Sequence, residues 1–268
     1  MERTEKIMKR LEEHYKCLEK QGYEIVALML QGSQNYGLDI YDDDYQSDID
    51  TKAIILPSFE DIVYNRKPIS ETLILENNEH IDVKDIRVMF KAYEKQNINY
   101  IETLFTEFKI INPKYQKTLQ PIFDNNEDIA HIDFNQALNC MVGMSLEKYK
   151  ALEHPYPNTK DKIAKFGYDP KQLHHILRLN DFIIKYSLGM PYEKCLIPKD
   201  PEDLIEVKKG KFSLEHARQI ANMTIDHTKS IKNTFMLPQD KINEKAIKIL
   251  DKVKYDILKQ KFKEDILK

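Results

Sequence analysis

The sequence predicts an α/β (α+β) fold, with a small mixed sheet and flanking helices near the N-terminus and a helical region after it. Three observations predict this. Two short apolar runs rich in β-branched residues, 23–30 and 51–56, are closed by Gly32-Ser33 and Pro57-Ser58 respectively. Residues 69–76 and 79–84 flank Asn77-Asn78 in the manner of a hairpin. Beyond residue 113 the apolar residues recur mainly at three- and four-residue intervals, which is helical spacing. The coarse boundary falls near 110–130, giving expected domains of 1–125 and 126–268.

Element by element, Ile7, Met8, Leu11, Tyr15 and Leu18 form one face of a helix over 3–20, with Gly22 past its end. The strand 23–30 follows, then a polar loop over 34–47, then the strand 51–56. Ser58 is placed to cap a short helix over 59–64. In the return strand of the hairpin, Ile81 and Val83 face one way while His80, Asp82 and Lys84 face the other. Asp85 caps a helix through Tyr93, and a further helical segment spans 97–105. Helices are expected over 115–123 and 134–152, with Pro155-Tyr-Pro in a loop. Asp169 as N-cap, Pro170 at the first helical position and Gly189 as terminator define a helix between them. Ser213 caps another that runs towards His227. The tail from Pro238 presents Ile242, Ala246, Leu250, Val253 and Ile257 on one side of a last helix.

The chain has 268 residues, enough for one large or two modest domains, and a formal net charge of −3. Near-neutral charge argues against non-specific electrostatic binding of nucleic acid, which favours strongly basic chains. Three dispersed cysteines, Cys17, Cys140 and Cys195, lack metal-ligand spacing and read as reduced thiols. The N-terminal segment has no apolar signal-like region and no run approaches membrane-spanning length, so the expectation is a cytoplasmic protein with no membrane partner.

The chemistry concentrates in residues 30–50. Alternate residues of a strand share a face, so Asp48 and Asp50 are expected side by side, with Ile49 turned into the core. Neighbouring carboxylates repel unless a cation lies between them, which points to a divalent metal. Gly32 leaves backbone N–H groups approachable and Ser33 adds a hydroxyl, both suited to phosphate oxygens. Phosphate and metal together at strand ends imply nucleotide chemistry. Asp42, Asp43 and Asp44 read as a solvated acidic loop. A calcium loop over 39–50 fails because position six is Asp44, not Gly, and position twelve is Asp50, not Glu. Serine-hydrolase and P-loop signatures are absent from the sequence. Farther on, Lys171, His174 or His175, and Arg178 recur on one helix face; this suits a triphosphate, or is simply a solvated basic stripe.

An apolar residue, Gly32-Ser33, a loop and Asp48-Ile-Asp50 resemble the signature of the DNA polymerase β-like nucleotidyltransferase superfamily. The Gly-Ser-x-x-Tyr-Gly-Leu form is similar to its RNA-repair-associated branch of predicted nucleotidyltransferases. Further resemblances are Asn97, Asn99, Glu102, Leu104 and Phe105; the Gly-Tyr-Asp-x-Lys-x-x-x-His-x-x-Arg-Leu segment, which selects Lys171, His175 and Arg178; and the stretches 188–191 and 203–215. Ile98 departs from the proline of the branch, and the 34–47 loop is longer than usual. The resemblance implies a catalytic triad of Asp48, Asp50 and Asp82 binding two Mg²⁺ (or Mn²⁺) ions. It implies contact of Gly32 and Ser33 with the β- and γ-phosphates, and of Lys171, His175 and Arg178 with the pyrophosphate leaving group. The expected reaction joins a nucleoside monophosphate from a nucleoside triphosphate to an acceptor hydroxyl, an RNA end ahead of a protein or small molecule. A nucleotide-binding sensor without turnover and a protein adenylyltransferase of a toxin–antitoxin or phage-defence system are the alternatives.

Overall fold

The computed structural model describes residues 3–41, 46–157, 159–239 and 241–267. In chain order its elements begin with α1 (Arg3–Lys20), β1 (Ile25–Gln31), β2 (Asp50–Ile55), α2 (Phe59–Val63), β3 (Ser70–Ile74) and β4 (His80–Asp85). They continue with α3 (Ile86–Glu94), α4 (Ile98–Ile101), β5 (Lys109–Ile111), α5 (Gln116–Asp124), α6 (Asn126–Ala130) and α7 (Phe134–Ala151). Helices α8 (Lys160–Phe166), α9 (Pro170–Ser187), α10 (Tyr192–Leu196), α11 (Pro201–Lys208), α12 (Leu214–Phe235) and α13 (Glu244–Leu267) complete the order. The architecture is mixed α/β with a helical C-terminal part, as the sequence predicts.

Two compact units divide the chain. Unit 1 comprises Met1–Asn35, Gln46–Ile132 and Ile242–Lys268; unit 2 comprises Tyr36–Tyr45 and Asp133–Lys241. The expected domains, 1–125 and 126–268, differ from this at both ends of the helical region. Helix α6 stays with the sheet, and α13 returns to unit 1, where Ala246, Leu250, Val253 and Ile257 are buried. Its ties are local to unit 1: Gln260 Nε2 donates to the Lys114 carbonyl at 3.0 Å, and Phe262 meets Phe59 edge-on at 5.4 Å.

In unit 1 the sheet order is β3-β4-β2-β1-β5. β2 and β4 run parallel; the other neighbours are antiparallel. β1 is an interior strand, buried along six of its seven residues, which is why it reads as a continuous apolar run rather than an alternation. Helix α1 lays Ile7, Leu11 and Leu18 against Ile25, Leu28, Leu30, Ile49, Ile55, Ile81 and Val83, forming the core on one sheet face. Asp85 caps α3 as expected, accepting from Arg87 N at 2.8 Å. The three-residue β5 has no counterpart in the sequence reading.

Unit 2 is helical among the described residues. Leu152, Tyr168, Leu173, Ile176, Val207, Ala217, Ala221 and Ile225 share its core. Asp169 caps α9, accepting from Lys171 N at 3.0 Å, and Gly189 follows its end at φ +73°. Ser213 caps α12, which runs past His227 to Phe235. Among the described residues, no helix is long and apolar enough to cross a membrane.

Candidate functional site

The antiparallel register of β1 and β2 pairs Gln31 with Asp50, so the chain leaving β1 and the chain entering β2 lie at the same end of the sheet. Gly32 ends β1 at φ +87°, a conformation that costs L-residues with a Cβ about 1–2 kcal/mol. A Cβ there would meet nothing within 4 Å, so backbone conformation alone makes the position glycine. The Gly32 amide donates to Glu102 Oε1 at 3.0 Å and is therefore already committed. Ser33 opens a 3-10 turn through Asn35, and among the described residues its hydroxyl makes no hydrogen bond. The turn is fastened from several sides. Asn35 Nδ2 donates to the Leu30 carbonyl at 3.1 Å, Thr106 donates to Asn35 Oδ1 at 2.6 Å, and Gln34 Nε2 reaches the Asp48 carbonyl at 3.5 Å.

The two aspartates differ in setting. β2 begins at Asp50, so Asp48 lies outside the strand, exposed, while Ile49 is buried and Asp50 is half-buried. The expectation that both project from one strand face is met only by Asp50, because pairing with β1 starts there. Asp50 Oδ1 accepts from the His80 amide at 2.8 Å and lies 3.3 Å from His80 Nδ1. Asp42, Asp43 and Asp44 lie outside the described residues.

Asp82 shares a face with His80 and Lys84, as the hairpin pattern predicts, but its charge is already taken. The parallel register sets Lys52 of β2 directly beside Asp82. The Lys52 ammonium, buried, forms an ion pair with Asp82 Oδ2, and Lys84 pairs with Oδ1 at 2.7 Å. Burial acts to raise the Asp82 pKa, yet the charges and hydrogen bonds of Lys52 and Lys84 outweigh it and hold the carboxyl below its usual range. The opposite holds for Lys52: burial pulls it down against the attraction of Asp82 and Glu102. The ring of Tyr100 covers the Lys52 ammonium at 4.1 Å. Asp82 also stands two residues farther along β4 than His80, the neighbour of Asp50; that is roughly 6.6 Å of strand rise.

On the other sheet face a buried polar network holds the same turn. His14 of α1, fully buried, bonds Thr51 Oγ1 through Nδ1 at 2.8 Å and Glu79 Oε2 through Nε2 at 3.0 Å. Arg10 donates to that same oxygen from Nε at 2.9 Å and Nη2 at 2.5 Å. Glu79 Oε1 accepts from the Ile49 amide at 3.4 Å, which fixes the backbone between the two aspartates.

Lys171, His175 and Arg178 all lie on α9 of unit 2. Lys171 is exposed. Arg178 is buried, with its guanidinium 4.3 Å from the centroid of the Tyr36 ring, and its Nε makes no hydrogen bond among the described residues. Burial, reinforced by the charges of His174, Arg178, Lys171 and Lys148, holds the His175 imidazole well below 6.5, so it is neutral at pH 7. His174 is buried beside it, the two rings edge-on at 5.2 Å, with His174 Nδ1 2.9 Å from the Leu204 carbonyl. Of the basic face, then, Lys171 and Arg178 carry the charge.

No protein-family model matches the sequence, and no curated protein matches it. Among solved structures it is similar to a nucleotidyltransferase-like protein from Exiguobacterium sibiricum 255-15, at 10% identity and a TM-score of 0.29. That likeness covers 86% of this chain and 75% of the other.

The donor chemistry decides how far a metal fits. Asp48 and Asp50 are hard oxygen donors near solvent, as Mg²⁺ prefers. Asp82 is not available in the same way, being neutralised by two ammonium groups; no set of three His, Cys, Asp or Glu side chains among the described residues is arranged to hold a metal. Sequence reasoning missed Lys52, although a lysine inside an apolar strand demands a carboxylate partner and is the signal that finds it. Of the residues that carry the further resemblance, Asn97 caps α4, accepting from Asn99 N, and Glu102 accepts from the Gly32 amide.

Proposed function

We propose that the chain is a nucleotidyltransferase that joins a nucleoside monophosphate to an acceptor hydroxyl, with an RNA end as the favoured acceptor. The observation that carries this reading is the placing of the Gly32-Ser33 turn beside the Asp48-Ile49-Asp50 entry at one end of the sheet. In the reaction the acceptor oxygen bonds to the α-phosphorus, the bond from that phosphorus to the bridging oxygen breaks, and pyrophosphate leaves. The acceptor proton passes to solvent.

Within this reading, Ser33 takes the phosphate contact through its hydroxyl, while Gly32 supplies the conformation and Glu102 locks it. Mg²⁺ or Mn²⁺ is the proposed cofactor; Asp48 and Asp50 would hold it, and bound there it would offset phosphate charge and polarise the acceptor oxygen. Asp82 anchors the lysine pair beside Asp50 rather than completing a carboxylate triad. Arg10, His14 and Glu79 keep the Ile49 backbone in position, so that the flanking carboxylates need no reorganisation when substrate binds. Lys171, Arg178 and the neutral His175 keep their proposed role as phosphate-binding groups of unit 2, the first two as cations and the third as a hydrogen-bond donor.

The test uses α-labelled nucleoside triphosphates, Mg²⁺ or Mn²⁺ and a cell extract, with Asp48→Ala/Asp50→Ala as the comparison. Label appearing on RNA, and lost in the double variant, supports the reading; label on protein points to the adenylyltransferase alternative. Triphosphate binding with no transfer to any acceptor favours a sensor, a reading that gains from the ion-paired state of Asp82. Absence of both binding and transfer refutes the site.

A further inference from the structure

Resting on that reading of the nucleotide site, we propose that it takes one divalent cation per chain, at Asp48 and Asp50, and that Lys52 is the built-in cation that keeps a second ion from Asp82. The charges around Asp82 balance without a metal. Two ammonium groups, Lys52 and Lys84, stand against two carboxylates, Asp82 and Glu102, the latter acting on Lys52 through space. A dication entering there would meet no excess negative charge. Mg²⁺ is ordinarily bound by one or two carboxylates together with substrate phosphates and waters, and Asp48 and Asp50 are the carboxylates of that kind here.

Geometry enforces the balance. Lys52 has little freedom to withdraw, because its side chain is 3% exposed, it emerges from a strand paired on both sides, and Tyr100 closes over its ammonium. Displacing it from Asp82 would leave a buried charge without its partner, the costly outcome for any buried pair. Lys84 is tied as well, donating to Ser70 Oγ at 2.9 Å, and Thr72 Oγ1 lies 3.4 Å from Asp82 Oδ1. Both oxygens of Asp82 are thus engaged by cations. Asp48 is exposed and the Asp50 side chain is 31% exposed, which gives the solvent access needed for the water ligands that Mg²⁺ retains. Lys52 acts through Asp82 and is a positioning residue.

The experiment counts bound Mn²⁺ on the full chain in the presence of a non-hydrolysable nucleoside triphosphate analogue, from the loss of the free-ion EPR signal. The analogue alone provides the baseline for ions that it binds itself. One ion per chain in the wild type, and one in Asp82→Asn, is expected; Lys52→Met, with Asp82 released, is expected to gain a second. Far-UV circular dichroism and melting establish that each variant is folded, and if Lys52→Met is not, the other two counts decide. Two ions in the wild type falling to one in Asp82→Asn overturns the inference and leaves the proposed function standing. A Lys52→Met count that stays at one overturns the part given to Lys52. No ion in the wild type, or one retained in Asp48→Ala/Asp50→Ala, overturns both the inference and the metal assignment of the proposed function.

Discussion

Glu79→Gln removes one charge from the buried network behind the aspartates while keeping the side-chain shape, and its effect on stability has a defined pH signature. Burial alone would raise the Glu79 pKa, but hydrogen bonds from His14 and Arg10 prevail and lower it from 4.5 to about 2. A carboxyl with a depressed folded-state pKa stabilises the protein above its unfolded pKa, and that contribution is lost as pH falls through the folded value. A shift of this size corresponds to about 3 kcal/mol at pH 7, since each pKa unit is worth about 1.4 kcal/mol. By pH 3 the same linkage leaves about 1 kcal/mol. Urea denaturation of wild type and Glu79→Gln at pH 7, 5 and 3 measures the difference directly. The gap should be nearly constant between pH 7 and 5 and shrink by more than half at pH 3. A gap that is equal at pH 7 and 3 would show that the network contributes by packing rather than by charge, and would refute the electrostatic account of how the Ile49 backbone is held.

Gly32→Ala should cost about 1–2 kcal/mol in a melting experiment, from the positive φ alone, because no atom lies near the added methyl. Arg178→Ala should destabilise unit 2 by roughly 0.5–2 kcal/mol through loss of the Tyr36 contact, with Tyr36→Leu giving a similar and non-additive loss. Leu250→Ala, at a fully buried position of α13, should cost about 2–5 kcal/mol and appear as early hydrogen exchange in α5 and α13. Ser33→Ala should leave the melting temperature near wild type, given its hydroxyl has no bond among the described residues, while weakening triphosphate binding about tenfold, as measured by calorimetry.

Features set by near neighbours in sequence were legible. β1 declared itself as an apolar run ended by glycine, and the caps Ser58, Asp85, Asp169 and Ser213 each act within three residues, which is the range over which a sequence can be read directly. Asp82 was placed on its face correctly because strand alternation is a local rule. Its partner Lys52 is 30 residues away, and only the β2–β4 register brings the two together. The Glu79 network likewise joins α1, β2 and the start of β4 across 65 and 69 positions. Three-residue β5 carries too little pattern to distinguish it from a loop. The amphipathic face of α13 was visible, but an apolar stripe does not say which core it completes.

The return of α13 has a consequence for how the chain is made. Apart from Tyr36–Tyr45, unit 2 is an insertion within unit 1, entered at Asp133 and left at Lys241. During synthesis the sheet is finished by Ile111, yet α5 waits for its covering helix until more than a hundred further residues have been added. Over that interval α5 lacks the helix that packs on it, while the core residues of unit 2 are being added. Unit 1 is therefore the part most dependent on uninterrupted translation, and expression of the sheet region alone, cut after residue 132, would produce a protein with one apolar flank permanently uncovered.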